Sequence, residues 1–209
     1  MRYCSGVDDG DPRAWRLGAA YGASWTRLKL TTGGVTSEAV FAKQAATVSV
    51  ERRVGERWTL GATVGSTTAG ALDAYGESFA LSPGPLVAFA ASFRAVDEGD
   101  VAPFVLLTGT LAASLSFTSP GGQSMTAFDA RLGVAAGKTI AHAVTPYLVA
   151  RAFGGPILWH DADASVVGTD VYHYQLGAGI VVRLGRFDVL VEGVPLGEQA
   201  FVGGGGMAF

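Results

Sequence analysis

The groups in this chain able to move protons or bind a metal are three histidines and eighteen carboxylates. Their densest grouping is His160-Asp161-Ala162-Asp163, with Asp170 nearby. A carboxylate–imidazole pair at His160 and Asp163 could serve hydrolysis, and oxygen donors of this kind suit a divalent cation. The plainer reading is a solvated turn, because His and Asp gather in loops for solubility more often than for chemistry. Cys4 is the single cysteine, so no intramolecular disulfide forms and no metal-ligand spacing arises. The run Gly203-Gly204-Gly205-Gly206 follows no strand-to-helix phosphate pattern, so nucleotide binding is not indicated. On these grounds no catalytic, cofactor-binding or metal residue is assigned.

A second set of charges is defined by position. Glu51, Arg53, Arg94, Asp129, Arg131, Arg183, Asp188 and Glu192 all fall on the non-apolar side of alternating runs. Alternation with period two is the mark of a β-strand with two unlike faces. In the clearest case Trp58, Leu60, Ala62 and Val64 alternate with Thr59, Gly61, Thr63 and Gly65. Before it, Ala46, Val48 and Val50 alternate with Thr47, Ser49 and Glu51, and Val54-Gly55-Glu56 supplies a tight turn. The same pattern starts at Trp15, where parity slips near Arg27 to Leu28 and Leu30 and predicts a bulge. It recurs around 87–94, 105–117, 128–137, 145–154, 172–183, 187–194 and 200–209, giving about ten strands, with eight the alternative count. Residues 69–85 and 155–171 read as long connections. The uncharged stretch Phe104–Phe117 is too short for a membrane helix, which needs about 18 apolar residues, and reads as a strand.

Charged residues make up only 16% of the chain, against roughly 25% in a typical soluble domain, and glycine reaches 30 residues. With a net charge of −3 and no basic patch, nucleic acid is excluded as a partner. The faces opposite the apolar residues carry Thr, Ser, Gly and Ala instead of the Lys and Glu of a water-facing sheet. The alternation therefore fits a barrel whose apolar face meets lipid and whose small and polar face lines a lumen. If each strand crosses the membrane, Trp15, Trp58, Phe93, Phe187 and Phe209 fall near the short-turn end. Phe41, Phe117, Phe128, Trp159, Tyr172 and Tyr174 then fall near the long-loop end, giving the two aromatic girdles that membrane interfaces select. The expected fold is all-β, a closed up-and-down antiparallel transmembrane β-barrel over 15–209, preceded by a disordered segment over 1–14.

Those features resemble the small outer-membrane β-barrel proteins of Gram-negative bacteria, the OmpA–OmpX-like group in the broad sense. The resemblance is architectural, covers Trp15 to Phe209, and has its most specific feature in the terminal Phe209, with Met207 and Phe201 on the same parity. It implies an assembly signal at Phe209 read by the barrel-assembly machinery, surroundings of outer-membrane lipid and lipopolysaccharide, and residence in the cell outer membrane. The glycine run 203–206 departs from the group's apolar alternation. An export signal or upstream domain removed from the N-terminus fits the same picture. Some such barrels are enzymes. The esterases among them resemble one another in a His-x-Ser arrangement, and no serine stands at that spacing from His142, His160 or His173. The expected function is non-enzymatic, a structural, adhesive or narrow-pore role with a lumen largely plugged by its own charges. The alternatives are a soluble lipocalin-like binder of small ligands and a barrel protease or lipid hydrolase using His160 and Asp163.

Overall fold

The computed structural model describes residues 14–119, 122–161 and 164–209, and among these there is no helix. The strands are β1 (Trp15–Thr32), β2 (Val35–Val54), β3 (Trp58–Ala74), β4 (Glu77–Ser82), β5 (Gly84–Val96), β6 (Phe104–Ser119) and β7 (Ser124–Gly137). They continue as β8 (Val144–Gly154), β9 (Ile157–Asp161), β10 (Ala164–Asp170), β11 (Tyr174–Leu184), β12 (Phe187–Gly197) and β13 (Gln199–Ala208). Ten of them, β1, β2, β3, β5, β6, β7, β8, β11, β12 and β13, pair antiparallel in that order, and β13 closes on β1. Trp15 and Phe209 exchange backbone hydrogen bonds of 3.1 and 3.0 Å at the seam. Closure leaves no strand edge unpaired, which is the condition for a sheet to stand in lipid.

The outward face of this ring is apolar. Trp15, Leu17, Tyr21 and Trp25 of β1, Val48 and Val50 of β2, and Trp58, Leu60 and Val64 of β3 are all exposed. The belt continues through Phe89, Leu111, Leu132, Leu148, Ile180 and Val191 to Phe201. On β1 it spans Trp15 to Trp25. At about 3.3 Å per residue and a tilt near 40° such a span has a height of about 25 Å, the thickness of the apolar band in membrane barrels. Water would exact a large hydrophobic penalty on such a belt, whereas lipid exacts none. The molecule is a transmembrane β-barrel.

Beyond Trp25 the chemistry inverts while the backbone continues unbroken. β1 and β2 stay in register from Trp15↔Arg52 to Thr32↔Val35, so the expected bulge near Arg27 is absent. Leu28 and Leu30 lie on the same inward face as Gly18 and Ala20, and Arg27 and Lys29 lie on the same outward face as Trp25. What changes is the surroundings, with water outside the wall and a dry core inside it. The parity slip in the sequence was this exchange of environments. A true irregularity occurs in β3, where Ala45 pairs with Thr67 but Gln44 pairs with Ala69, so the ladder skips Thr68 and turns Leu72 and Ala74 inward.

The stretches read as connections form strands of this second section. Residues 69–82 extend β3 and add β4, and 157–170 supply β9 and β10. Together with the far ends of β1, β2, β6 and β7 they close a ring of eight strands, in the order β1-β2-β3-β4-β6-β7-β9-β10. Leu28, Leu30, Phe41, Leu72, Leu81, Met125, Ile157, Trp159 and Val166 fill it, with Trp159 at 1% exposure. Phe79 packs edge-on against Trp159 with ring centroids 5.2 Å apart. Phe41 and Trp159 are therefore interior residues and not members of an aromatic girdle. Inward-facing leucines were illegible as strand signals because the rule applied to them was that of the lipid-facing section.

Candidate functional site

Among the described residues, it is in the lumen that this fold brings charged side chains together out of bulk water. Its floor, at the short-turn end, has a polar part and a dry part. Arg16 of β1 reaches to Asp188 of β12, Nε to Oδ2 at 3.1 Å with Nη2 on Oδ1, and to Glu51 of β2 at 3.4 Å. Between β1 and β12 lies β13, and Arg16 crosses it over Gly206, where a Cβ would overlap the guanidinium. Beside this pair Phe104, Leu106, Ala135, Tyr147, Val149, Val181 and Leu190 form a second dry cluster inside the wall.

Above the floor a hydrogen-bonded ladder climbs the wall formed by β7, β8, β11 and β12. Tyr147 donates to Glu192 at 2.8 Å, and Arg151 grips the same carboxylate through both nitrogens at 2.7 and 2.9 Å. Arg151 also donates to Gln175 at 3.4 Å, and Gln175 donates to Glu198 at 2.8 Å. Glu198 pairs with Arg131 at 3.0 Å, and Arg131 bonds Asp129 at 2.5 Å while lying over the Phe153 ring at 5.0 Å. Bidentate and shared pairing of this kind offsets the cost of withdrawing ions from water. The facing wall carries small side chains, among them Thr47, Ser49, Thr63, Ala88, Ala90, Thr110 and Ser114, all half-buried.

Of the eight charges picked out by alternation, Glu51 and Asp188 meet at Arg16, Asp129 and Arg131 meet near the top, and Glu192 sits mid-ladder. Arg94 lies 3.9 Å from Asp97, and Arg183 stands opposite Asp188 in the β11–β12 register. Arg53 is inward-facing and half-buried at the same end. Sequence reasoning missed Arg16, Tyr147, Arg151, Gln175 and Glu198. Arg16 was legible, since it takes the parity opposite Trp15 and Leu17. Arg151 lies in 145–154, where polar and apolar residues do not alternate cleanly, and Glu198 lies between the runs 187–194 and 200–209. His160 of β9 is exposed and points away from the lumen, and His142 and His173 are exposed as well. Asp163 and residues 1–13 lie outside the described residues. Among the described residues no group of His, Cys, Asp and Glu has the arrangement of a metal site.

Of the girdle residues, Trp15, Trp58, Phe187 and Phe209 are exposed near the short turns, and Trp58 packs on Phe93 at 5.0 Å. Arg52 covers Trp15 at 5.1 Å. Phe117, Phe128, Tyr172 and Tyr174 are exposed near the other end, with the two tyrosines edge to face at 6.2 Å.

A closed, even-stranded antiparallel ring with an apolar exterior and a charged, filled interior defines a class, the outer-membrane type of β-barrel. Two solved structures with TM-scores above 0.5 agree on that fold. The outer membrane protein OprG from Pseudomonas aeruginosa superposes with a TM-score of 0.56 at 6% identity, over 97% of this chain and 99% of that one. The outer membrane protease OmpT from Escherichia coli gives 0.52 at 10% identity, over 95% and 98%. The translocator domain of the autotransporter NalP from Neisseria meningitidis reaches 0.48 at 16% identity, over 96% and 90%. No family model and no curated protein sequence matches the chain. At these identities the likeness defines the fold alone: this chain is an outer-membrane β-barrel in architecture.

Proposed function

We propose that this chain is an integral outer-membrane protein of a Gram-negative cell envelope whose role is structural or adhesive, not catalytic or conducting. The observation that carries the reading is the dry core of the eight-stranded section. A pore needs a continuous polar path, and here Trp159, Phe41, Leu72 and Met125 occupy the barrel axis beyond the lumen. The same core makes the section a stiff post standing clear of the lipid, with the Gly33-Gly34 and Tyr75-Gly76 turns at its tip. Lipid and lipopolysaccharide surround the belt in this reading, the assembly machinery reads Phe209, and the post faces the cell exterior.

Site-directed labelling of intact cells tests it, using the chain behind an export signal in a Cys4→Ser background. Tyr75→Cys, on the β3–β4 turn, should react with an impermeant maleimide, and Glu56→Cys, on the β2–β3 turn, should react only after the cells are broken. The protein should fractionate with the outer membrane and run as a heat-modifiable band. Labelling of Glu56→Cys in place of Tyr75→Cys, or recovery in the soluble fraction, would overturn the proposal.

A further inference from the structure

Where the dry core meets the lumen there is a small cavity with a polar lining. Thr26 of β1, Lys43 of β2, Asp129 and Arg131 of β7, Asp170 at the end of β10, and Glu198 between β12 and β13 line it, with Phe41 and Ile157 on the side of the dry core. Three carboxylates thus face two cations across it. Arg131 is shared between Asp129 and Glu198, Lys43 lies over the Phe41 ring at 5.8 Å, and Thr26 donates to Asp170 at 2.9 Å. Asp129 Oδ1 is buried without a hydrogen-bond partner among the described residues. Such a cluster is relieved either by binding a proton or by opening to water.

The element best able to open is the β9–β10 hairpin. It pairs with β1 over Leu28–Thr31 and with β7 over Met125–Ala127, with one more backbone bond at each flank (Val171 N to Arg27 O and Phe128 N to Pro156 O), whereas the β1–β2 ladder runs from Trp15 to Thr32. Yet it carries Ile157, Trp159 and Val166 of the dry core. We propose that Asp170, facing Asp129 and Glu198 in this cluster, is a proton-sensitive latch that seats the β9–β10 hairpin on the barrel when it holds a proton and loosens it when the proton leaves. This inference rests on the reading of that section as the plug of the lumen.

Asp170 stands beyond the membrane-spanning part of the wall, and its carboxyl is pushed up to about 6. Burial is the main cause. The Thr26 hydrogen bond opposes it, Glu198 and Asp129 add to it, and Arg131 opposes it. In a hairpin lifted into water the same carboxyl returns to about 3.9. An acid with its pKa raised in the seated form stabilises that form below about pH 4, and the contribution is lost as pH rises through 4 to 6. The seating is therefore tighter in acid and weaker at neutral pH, with the seated, plugging form the major one at both.

Amide hydrogen exchange on the full chain in detergent, corrected for intrinsic rates, tests this between pH 4.5 and 7.5. Protection of the β9 and β10 peptides should fall about tenfold across that range, within the ceiling of about 100-fold set by a two-unit separation, while β12 and β13 stay level. Asp170→Asn should abolish the change and stay protected throughout, and Thr26→Val should move the midpoint upward. Glu198→Gln should move it downward, and this variant decides the matter if Asp170→Asn gives no heat-modifiable band. A level profile for β10, a change that persists in Asp170→Asn, an unmoved midpoint in Glu198→Gln, or a change shared by every strand would overturn the latch. Correct labelling at Tyr75 alongside a level profile would reject the latch and leave the proposed function standing.

Discussion

Arg16, Gly206 and Asp188 show how one glycine can serve closure. The last strand must be crossed by a side chain that links the first strand to the one before the last, and only a residue without Cβ leaves that path clear. The glycine run that departs from the usual alternation of a terminal strand is thus not uniform in purpose. Gly206 faces the lumen beneath Arg16, while Gly203 faces outward with nothing near it. Gly206→Val should dislodge the Arg16–Asp188 pair and cost about 3 kcal/mol, the order seen when a buried ion pair is broken. Gly203→Val should stay within about 0.5 kcal/mol, as open surface sites do. The urea midpoint for loss of the heat-modifiable band measures both. Equal losses would show that the run matters for backbone freedom and not for the passage of Arg16.

At the scale of elements, β2 carries the two environments on one face. Val48 pairs with Ala19 in the middle of the belt, and Val40 pairs with Arg27 beyond it. Val48→Arg should cost about 2–4 kcal/mol, the cost of a basic side chain at mid-bilayer depth, and Val40→Arg should cost under about 1 kcal/mol. The inward Phe41, between them in height, should cost about 3–5 kcal/mol on change to alanine, because it empties part of a packed core. Unfolding midpoints in detergent or vesicles would report all three, and equal penalties at Val40 and Val48 would mean that the belt reaches further than Trp25. The same contrast explains what the sequence disclosed. The alternation of Trp58 to Gly65, the turn at Gly55 and the terminal Phe209 were legible because each obeys a single rule along its length. Leu28, Leu30, Leu72 and Trp159 obey the opposite rule, so their strands read as a bulge, a long connection and a girdle position. The charges on β2, β7 and β12 were found by parity, while Glu198 and Arg151 were hidden by the bulge in β12 and the mixed pattern of β8. Which charges touch depends on a register that one sequence does not disclose.

For the whole molecule, two barrels share one wall. The ten-stranded part is apolar outside and polar inside, and the eight-stranded part is the reverse, so one molecule satisfies lipid at one end and water at the other. The lumen between them is bounded by the Arg16 floor and the Trp159 plug, and any role for the protein follows from that enclosure. A sealed barrel presents its surfaces, whereas an open one passes solutes. Planar-bilayer recording on the native full-length chain separates the two most directly. The account predicts insertion without steady conductance at neutral and acid pH. A stable ohmic current through single inserted molecules would contradict it.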